Sequence, residues 1–290
     1  MDETIPITRP QQSASANSPK MPDAVRQALA NPGESIKRTI PTFTVELPSK
    51  GHFYPENSPL SSGTISLYEV TAKHEDILSN TVLLKKGTVL DEFLRAVIAT
   101  PGVSLDDLLV GDKNAVFLAA RISAYGNEYK IKTKCPVCGA DDSVTVDLNS
   151  IIAKPFDFSN CQRGQNQFTY TMPISGKTVV WKLISHKDES AIDSELKMLA
   201  KLVAGATSPE ITTRIKYSIL SIDGKTDRSF IKNFVDTELS ARDSLSFRTI
   251  TRKNAPDMDM TYNFTCKSCG HEERMQIPLG ANFFWPGVTD

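Results

Sequence analysis

Two stretches of this sequence decide its fold: Cys135-Pro136-Val137-Cys138-Gly139 and Cys266-Lys267-Ser268-Cys269-Gly270. In each stretch two residues separate the cysteines, so that both sulfurs can reach one metal ion, and the glycine that follows permits a turn that aims backbone amides at sulfur. Together they predict one Zn²⁺ site with Cys135, Cys138, Cys266 and Cys269 as ligands. The predicted site is structural, because four thiolates leave no open position for a catalytic water.

Short strands are predicted on both sides of each cysteine pair. Apolar and polar residues alternate in 128–132 and 143–147 around the first pair, and in 260–264 and 274–277 around the second. Two hairpins tipped by cysteines would then face each other across the ion. The sequence therefore predicts an α+β protein built on a four-cysteine zinc ribbon that a long insertion splits in two.

Two CxxC pairs can also be redox dithiols, a disulfide or unpaired thiols. A redox pair normally opens a helix, whose dipole lowers the thiol pKa, and neither pair here precedes a helical pattern. His271 lies beside Cys269 and could replace a sulfur ligand, but four regularly spaced cysteines leave it no vacancy, so we interpret it as a strand residue. The fifth cysteine, Cys161, has no partner in the sequence, and a free thiol favours a reducing compartment.

Length and composition are typical of a soluble, intracellular protein. The 290 residues suffice for one large domain or two small ones, and 40% hydrophobic residues are enough for a core. A formal net charge of -1 gives no electrostatic reason to expect nucleic acid or an anionic membrane as a partner. The sequence predicts neither a membrane span nor a secretory signal peptide.

The pattern along the chain predicts a disordered tail followed by a folded remainder. Residues 1–40 have few large apolar side chains and cannot offset the entropy of ordering the chain. A β segment with a Pro/Gly turn and a helical subdomain precede the ribbon, and an α+β insertion separates its halves. The predicted bounds are 41–71 for the β segment, 72–124 for the helical subdomain, 125–154 and 259–279 for the ribbon halves, 155–258 for the insertion and 280–290 for an aromatic C-terminal tail.

Capping residues predict where the helices begin. Thr71 is expected to cap a helix that runs to about residue 86, and Pro101 to stop the next one. In the insertion, Ser185 with Asp188 three residues on has the pattern of a capping pair, and Ser240 opens the last helix. Ser208 and Pro209 are expected to open a helix whose apolar face is Ile211, Ile215 and Ile219.

No catalytic constellation is predicted. The neighbouring residues His186, Asp188 and Glu189 are explained by helix capping and by the preference of acids for a first helical turn. The sequence contains no Gly-rich phosphate loop, no nucleophile elbow and no paired histidines on a helix face. We therefore expect a protein without enzymatic activity and without a small-molecule substrate.

Four groups of residues carry a resemblance to a known family. They are Leu47-Pro48-Ser49-Lys50-Gly51 through Phe53-Tyr54-Pro55; Gly111-Asp112 with Arg121 and Tyr125-Gly126; the first cysteine pair with a strand ending in Asp147-Leu148; and Phe283-Phe284-Trp285-Pro286 after the second pair. Over about residues 43–286 the chain resembles the baseplate hub proteins and hub assembly chaperones of T-even-type contractile-tailed bacteriophages. The resemblance implies a non-enzymatic role in building the tail baseplate, as a structural component or as an assembly chaperone.

That role implies other baseplate or hub proteins as partners, in the host cytoplasm during assembly or in the tail of the virion. Aromatic side chains are the expected docking anchors, because large amphipathic rings dominate many interfaces. The candidates are Phe53 and Tyr54 in the proline turn and Phe283, Phe284 and Trp285 near the C-terminus. The alternative is that these aromatic residues fold back onto the ribbon and belong to the core.

Two other functions stay open, namely a nucleic-acid-binding zinc-ribbon protein and a cellular zinc-ribbon scaffold unrelated to phages. Two basic groups could contact phosphates. These are Lys130, Lys132 and Lys134 on the strand before the first cysteine pair, and Arg242, Arg248, Arg252 and Lys253 in the last helix. Solvated faces also explain both groups. Acidic residues beside the cysteine pairs would repel phosphate: Asp141, Asp142, Glu272 and Glu273.

Overall fold

The computed structural model describes residues 40–202, 208–280 and 283–284. Contacts divide the chain into two units, Met1–Thr39 and Ile40–Asp290, and all of the described residues belong to the second. Apart from Ile40, the predicted disordered tail therefore lies outside the described residues. The described part mixes helices with small sheets, which confirms the prediction of an α+β protein. The finer segment bounds stay predictions.

Short strands alternate with helices along the chain. The strands are β1 (Thr42–Glu46), β2 (Thr64–Tyr68), β3 (Glu128–Lys134), β4 (Asp141–Asp147), β5 (Phe168–Thr171), β6 (Thr178–Trp181), β7 (Ile219–Ile222), β8 (Thr261–Thr265) and β9 (Glu272–Gln276). The helices are α1 (Ala72–Leu78), α2 (Thr81–Lys86), α3 (Val89–Val97), α4 (Val110–Tyr125), α5 (His186–Leu202), α6 (Glu210–Ser218), α7 (Arg228–Asn233) and α8 (Ala241–Lys253).

The strands pair into small antiparallel sheets. β1 pairs with β2, β3 with β4, and β8 with β9, while β5, β6 and β7 form a three-stranded sheet in that order. In β3 the side chains of Tyr129 and Ile131 are buried while those of Lys130 and Lys132 are exposed, which is the alternation expected of a half-buried strand. The β3–β4 and β8–β9 hairpins are those predicted around the cysteine pairs.

The helix predicted from Thr71 to about residue 86 is two helices. Thr71 opens α1 with a capping box, in which its backbone N–H donates to Nδ1 of His74 across 3.0 Å. Asn80 then caps α2, because its Oδ1 accepts hydrogen bonds from the backbone N–H groups of Val82 and Leu83. An asparagine whose side chain replaces helical backbone partners is a favoured helix start, so the chain breaks here instead of continuing.

The insertion differs from its prediction at one strand. Ile219 was expected on the apolar face of a helix, but α6 ends at Ser218 and Ile219 begins β7, where Ser221 pairs with Val180 of β6. Isoleucine favours extended backbone, and the open edge of β6 supplies the hydrogen-bond partners that a helix would otherwise provide. The capping pair predicted at Ser185 is confirmed, because its hydroxyl accepts from the backbone N–H of Asp188 and its own N–H donates to that carboxylate.

The aromatic residues expected as exposed anchors are core residues wherever the structure describes them. Phe53 is 3% exposed, Tyr54 5%, and Phe283 and Phe284 0%, so the prediction that these four side chains form a docking surface is wrong. The fifth candidate, Trp285, lies outside the described residues.

Close ring packing explains their burial. Phe283 stacks on Phe117 of α4 with 5.2 Å between ring centroids, and Phe284 lies 4.7 Å from Phe93 of α3. Ring contacts of this kind stabilise a core beyond the area that they bury. The segment that holds the second cysteine pair is therefore followed by two rings that pack between the helices. No helix in the described part of the chain is both long and apolar enough to cross a membrane.

Candidate metal centre

The structure brings together the four cysteines that the sequence predicts as ligands. The Sγ atoms of Cys135, Cys138, Cys266 and Cys269 all lie within 4.8 Å of one another. The Sγ atoms of Cys135 and Cys269 are 3.7 Å apart, and those of Cys138 and Cys266 are 3.6 Å apart. A tetrahedron with metal–sulfur bonds of about 2.3 Å has edges of about 3.8 Å, so this arrangement suits a single metal ion.

The turns that carry the cysteines are built alike. In the first turn Cys135 N–H donates to Ala140 O across 2.9 Å and Gly139 N–H donates to Cys135 O across 2.9 Å. In the second turn Cys266 N–H donates to His271 O across 2.8 Å and Gly270 N–H donates to Cys266 O across 2.9 Å. Both glycines have a positive φ, 71° and 72°, which a residue with a Cβ rarely adopts. This backbone requirement explains the glycine after each pair.

The centre has a buried side and an exposed side. The first cysteine of each pair is buried, at 2% exposure for both Cys135 and Cys266, whereas Cys138 and Cys269 are exposed. Val137 at the tip of the first turn is 67% exposed. A metal held here would be anchored on the core by two sulfurs and be reachable by solvent, chelators and oxidants past the other two.

The four thiols affect one another's protonation. Backbone amides, that of Cys269 first and that of Ser268 as well, lower the pKa of the Cys266 thiol to about 6. The His271 amide likewise favours the thiolate of Cys269, yet the neighbouring sulfurs, with Cys138 foremost, raise the pKa of Cys269 to about 12. Crowded thiolates repel each other, and a bound cation removes that repulsion.

An ion pair beside the centre joins the two hairpins. The carboxylate of Asp142 in β4 accepts hydrogen bonds from the backbone N–H of Lys267 across 3.0 Å and from its Nζ across 2.8 Å. Lys267 Nζ also donates to Ser143 O across 3.0 Å. The Lys267 ammonium holds the pKa of Asp142 at about 2. This contact therefore fixes the second cysteine turn against the strand that follows the first.

The remaining candidates near the centre lie outside the ligand group. His271 precedes β9 rather than lying within a strand, and its Nε2 is 3.4 Å from Oε2 of Glu273. Within the described residues the group of possible ligand atoms contains the four cysteines and not His271. Cys161 is half-buried, and burial raises the pKa of its thiol.

A buried polar network links the proline turn, residues 48–55, to the start of α4. Asp112, in the first turn of α4, is 1% exposed, and its carboxylate accepts from Ser49 N–H at 2.9 Å, from Ser49 Oγ at 2.6 Å and from Tyr54 O–H at 2.6 Å. Burial raises the pKa of Asp112, while the three donors oppose that shift. Beside it, a Cβ at Gly111 would meet Pro256 O at 2.0 Å, so only glycine fits there.

Arg121 makes a second buried connection at the other end of α4. Its Nε donates to Phe283 O across 2.7 Å, its Nη1 to Gly126 O across 2.9 Å and its Nη2 to Glu128 O across 3.3 Å. Its guanidinium also lies 5.7 Å from the ring centroid of Tyr129. This arginine is 1% exposed, and its hydrogen bonds link Phe283 and the start of β3 to α4.

Sequence reasoning assigned no role to Asp112 or Arg121. The available signal was their position in α4, where charged side chains interrupt a helix whose other residues are mostly apolar or small. A helix of that composition is buried on most sides, and a charge within it needs partners. Ser49, a partner of Asp112, and Phe283, a partner of Arg121, however, lie 63 and 162 positions away in sequence, and no local pattern reveals them.

The fold and the centre define an α+β protein in which two cysteine-tipped hairpins converge on a centre suited to a metal ion, held against a helical core. The sequence model of the family described as T4 bacteriophage base plate protein matches residues 40–285, and the chain belongs to this family. The match covers both cysteine pairs, the proline turn, Asp112 and Arg121. No curated protein and no solved structure matches the chain significantly.

Proposed function

We propose that this protein is a component or an assembly factor of the baseplate hub, and that it acts through contacts with other baseplate proteins and not as an enzyme. The family match over residues 40–285 carries the proposal, because it includes every residue that the structure describes. The finer assignment to the hub rests on the sequence resemblance described above. Other baseplate or hub proteins are the partners that this function requires.

Within this function, the four cysteines bind Zn²⁺ in a structural role. Four thiolates at tetrahedral distances favour Zn²⁺ or iron among the common metals, and the closed ligand set suits a structural ion. Two cysteines from each of two hairpins make the arrangement a zinc ribbon split by the residues between them. The ion would fix two hairpins that lie far apart in sequence and give this region a rigid shape without a large local core.

A non-enzymatic role is supported by how the buried polar residues are used. Asp112 and Arg121 are satisfied by the protein's own turn, carbonyl and ring partners, as described above. Glu189 accepts a hydrogen bond from Lys113 of α4, and Asp188 forms the capping pair with Ser185 at the N-terminus of α5. These polar groups are therefore paired within the protein and stabilise its fold. In a catalytic site, by contrast, polar groups would be directed at a substrate.

Mass spectrometry of purified intact virions beside a lysate of infected cells tests the proposal. Peptides of this chain at a fixed, small copy number per particle would identify a structural component. Their presence in lysate fractions that contain baseplate intermediates, without presence in virions, would identify an assembly factor. If the chain occurred neither in virions nor in any tail intermediate, the proposed function would be wrong.

A further inference from the structure

A groove formed mainly by residues of the insertion has no part in the proposed function as described so far. It has a volume of about 520 Å³ and is bordered by α6 and α8. Trp181, Ile215 and Phe247 lie beneath it and are buried, at 2%, 2% and 1% exposure. Cavities of this size are in the range that holds several side chains or a small ligand. The groove therefore has a rigid floor that belongs to the hydrophobic core.

Partly exposed apolar side chains line the groove above this floor. They come from four separate places along the chain: Val110, Ile184, Ile211 and Ala255. Ile211, in the first turn of α6, is 49% exposed. An apolar wall of this kind gains from contact with apolar groups of a partner.

Two arginines give the groove an unbalanced positive charge. Arg248 and Arg252 are four residues apart on α8, line the groove and are exposed. Neither guanidinium has an ion-pair partner among residues 40–202, 208–280 and 283–284. Like charges at this spacing on a helix repel each other, so an anionic partner would relieve that repulsion.

The other charged residues of the groove are already neutralised. Arg214 donates to Glu210 across 3.1 Å, and Lys182 lies 2.7 Å from Asp188. Asp257 lies 3.3 Å from Lys154. The net charge that remains in the groove is therefore that of Arg248 and Arg252.

The adjacent face of α8 repeats this combination of apolar and basic residues. Leu245 is 58% exposed and lies beside Ile174, which is 50% exposed, in a second depression that Arg242 and Lys253 also line. Asp243 is buried and accepts hydrogen bonds from Ile174 N–H and Ser175 N–H, so its charge is directed away from this surface. In a chain with a net charge of -1, α8 is thus a local basic and apolar surface.

We propose that the groove between α6 and α8 binds an acidic, amphipathic segment of another baseplate protein. Apolar side chains of the segment pack against Val110, Ile184 and Ile211, and its carboxylates pair with Arg248 and Arg252. This inference rests on the proposed function, since it names the chemistry of a partner in the baseplate. Nucleic acid fits the groove less well, because the aromatic residues beneath it are buried and offer no ring face for stacking on bases.

Photo-crosslinking in infected cells tests this inference. A chain with Ile211→p-benzoylphenylalanine replaces the natural one, and crosslinked peptides are identified after irradiation. The expected product is a peptide of another baseplate protein that contains both acidic and apolar residues. The same probe in the Val82→p-benzoylphenylalanine chain is the control, because Val82 on α2 is 58% exposed and does not line the groove.

Charge-reversal variants provide a second test of the groove inference. Arg248→Glu with Arg252→Glu should lower the yield of the crosslink at least about tenfold, which corresponds to loss of one favourable charge-assisted contact. Lys85→Glu with Lys86→Glu is the matched control, because both lysines are exposed in the last turn of α2, and the yield should change less than about twofold. Circular dichroism and the Tm of each variant verify that it folds.

Each other result overturns the inference. Crosslinks only to nucleic acid, only to a second copy of this chain, or to a peptide without acidic residues would contradict it, as would a yield that charge reversal leaves unchanged. The same is true if no crosslink from position 211 exceeds that from position 82. If the chain is found in virions or tail intermediates despite such a result, the groove inference fails and the proposed function stands.

Discussion

Tyr54 and Asp112 share a hydrogen bond of 2.6 Å that fastens the proline turn to the first turn of α4. The Tyr54 hydroxyl also accepts a hydrogen bond from Leu109 N–H across 2.9 Å, so its own proton is directed at the carboxylate. Burial in this network, followed by the nearby charge of Asp112, raises the pKa of the Tyr54 hydroxyl well above its ordinary value. The network therefore works with Tyr54 protonated, and Asp112 accepts the hydrogen bond that the Tyr54 hydroxyl donates.

Replacing Asp112 should destabilise the protein strongly. Asp112→Asn puts an amide N–H₂ where a carboxylate oxygen accepts from Ser49 or Tyr54, so at least one buried donor loses its partner. The expected cost is about 2 kcal/mol in the free energy of unfolding. Urea unfolding at neutral pH measures this change.

Asp106→Asn is the matched control for that substitution. Asp106 lies near the same helix but has a partly exposed side chain, 43%, paired with Arg95. Its replacement should cost less than about 0.5 kcal/mol. Equal unfolding midpoints for the Asp112 and Asp106 variants would show that the buried network does not stabilise the fold.

The sequence predicts those structural elements whose physical causes are local. Local patterns predicted the capping pair at Ser185 and both cysteine-tipped hairpins. Spacing alone also predicted that the four cysteines would meet, because metal ligands leave a signature in sequence. These are the features for which neighbouring residues supply most of the physical reason.

Features that depend on distant partners were not predicted. Ile219 begins a strand because β6 offers an edge, and Phe283 and Phe284 are buried because α3 and α4 leave space for their rings. An aromatic residue in an irregular segment has the same local pattern whether it is buried or exposed. The groove at α6 and α8 likewise arises only when residues from four parts of the chain come together.

Removing the Arg121 guanidinium should loosen the C-terminal segment. Arg121→Met keeps much of the side-chain volume but leaves the carbonyls of Phe283 and Gly126 without their buried donors. The expected cost is about 3 kcal/mol, since these are hydrogen bonds from a charged group. Hydrogen exchange should also show faster exchange in the region of Phe283 than in β1.

Arg95→Met provides the comparison for the arginine substitution. Arg95 is 38% exposed and pairs with Asp106 at the surface, so its loss should cost less than about 0.5 kcal/mol. A similar small effect for Arg121→Met would mean that water replaces the guanidinium at those carbonyls, and the connection to Phe283 would then contribute little to stability.

Loss of one cysteine ligand should remove the metal. Cys135→Ser takes a buried sulfur from the centre, and three thiolates hold Zn²⁺ less tightly than four. We expect the bound zinc, measured by elemental analysis, to fall from about one per chain to a small fraction of that. The Tm should fall by at least about 10 °C, because the two hairpins lose the ion that joins them.

Cys161→Ser separates this effect from a general effect of losing a thiol. Cys161 lies outside the cluster of four, so its replacement should leave the metal content unchanged. If Cys135→Ser retained a full equivalent of zinc, or if the purified protein contained iron in place of zinc, the assignment of a four-cysteine zinc centre would have to be abandoned.

Glu189 should make stability depend on pH in the acid range. Although burial alone raises the pKa of Glu189, His186, whose Nδ1 lies 3.9 Å from Oε2, and the ammonium of Lys113 lower it from 4.5 to about 2, and Arg214 adds to the shift. Asp91 faces the other side of His186, with Oδ1 at 3.6 Å from Nε2. At pH values between about 2 and 4.5, the folded and unfolded pKa values of Glu189, the unfolded chain binds more protons at Glu189 than the folded chain does. The stability of the protein therefore rises with pH in this range.

The contribution of Glu189 is therefore fully present above about pH 4.5 and is lost as the pH falls toward 2. Glu189→Gln should be less stable than the natural protein at pH 7, by on the order of 2 kcal/mol after allowance for partial solvent exposure, and the difference should shrink steadily toward pH 2. Both proteins contain the same four-cysteine centre. Any effect of acid on that centre therefore changes both free energies of unfolding equally and cancels in their difference. Asp193→Asn, at an exposed position of α5, should show no such trend, and a difference for Glu189→Gln that stays constant from pH 7 to pH 2 would exclude an ionised Glu189 as its cause.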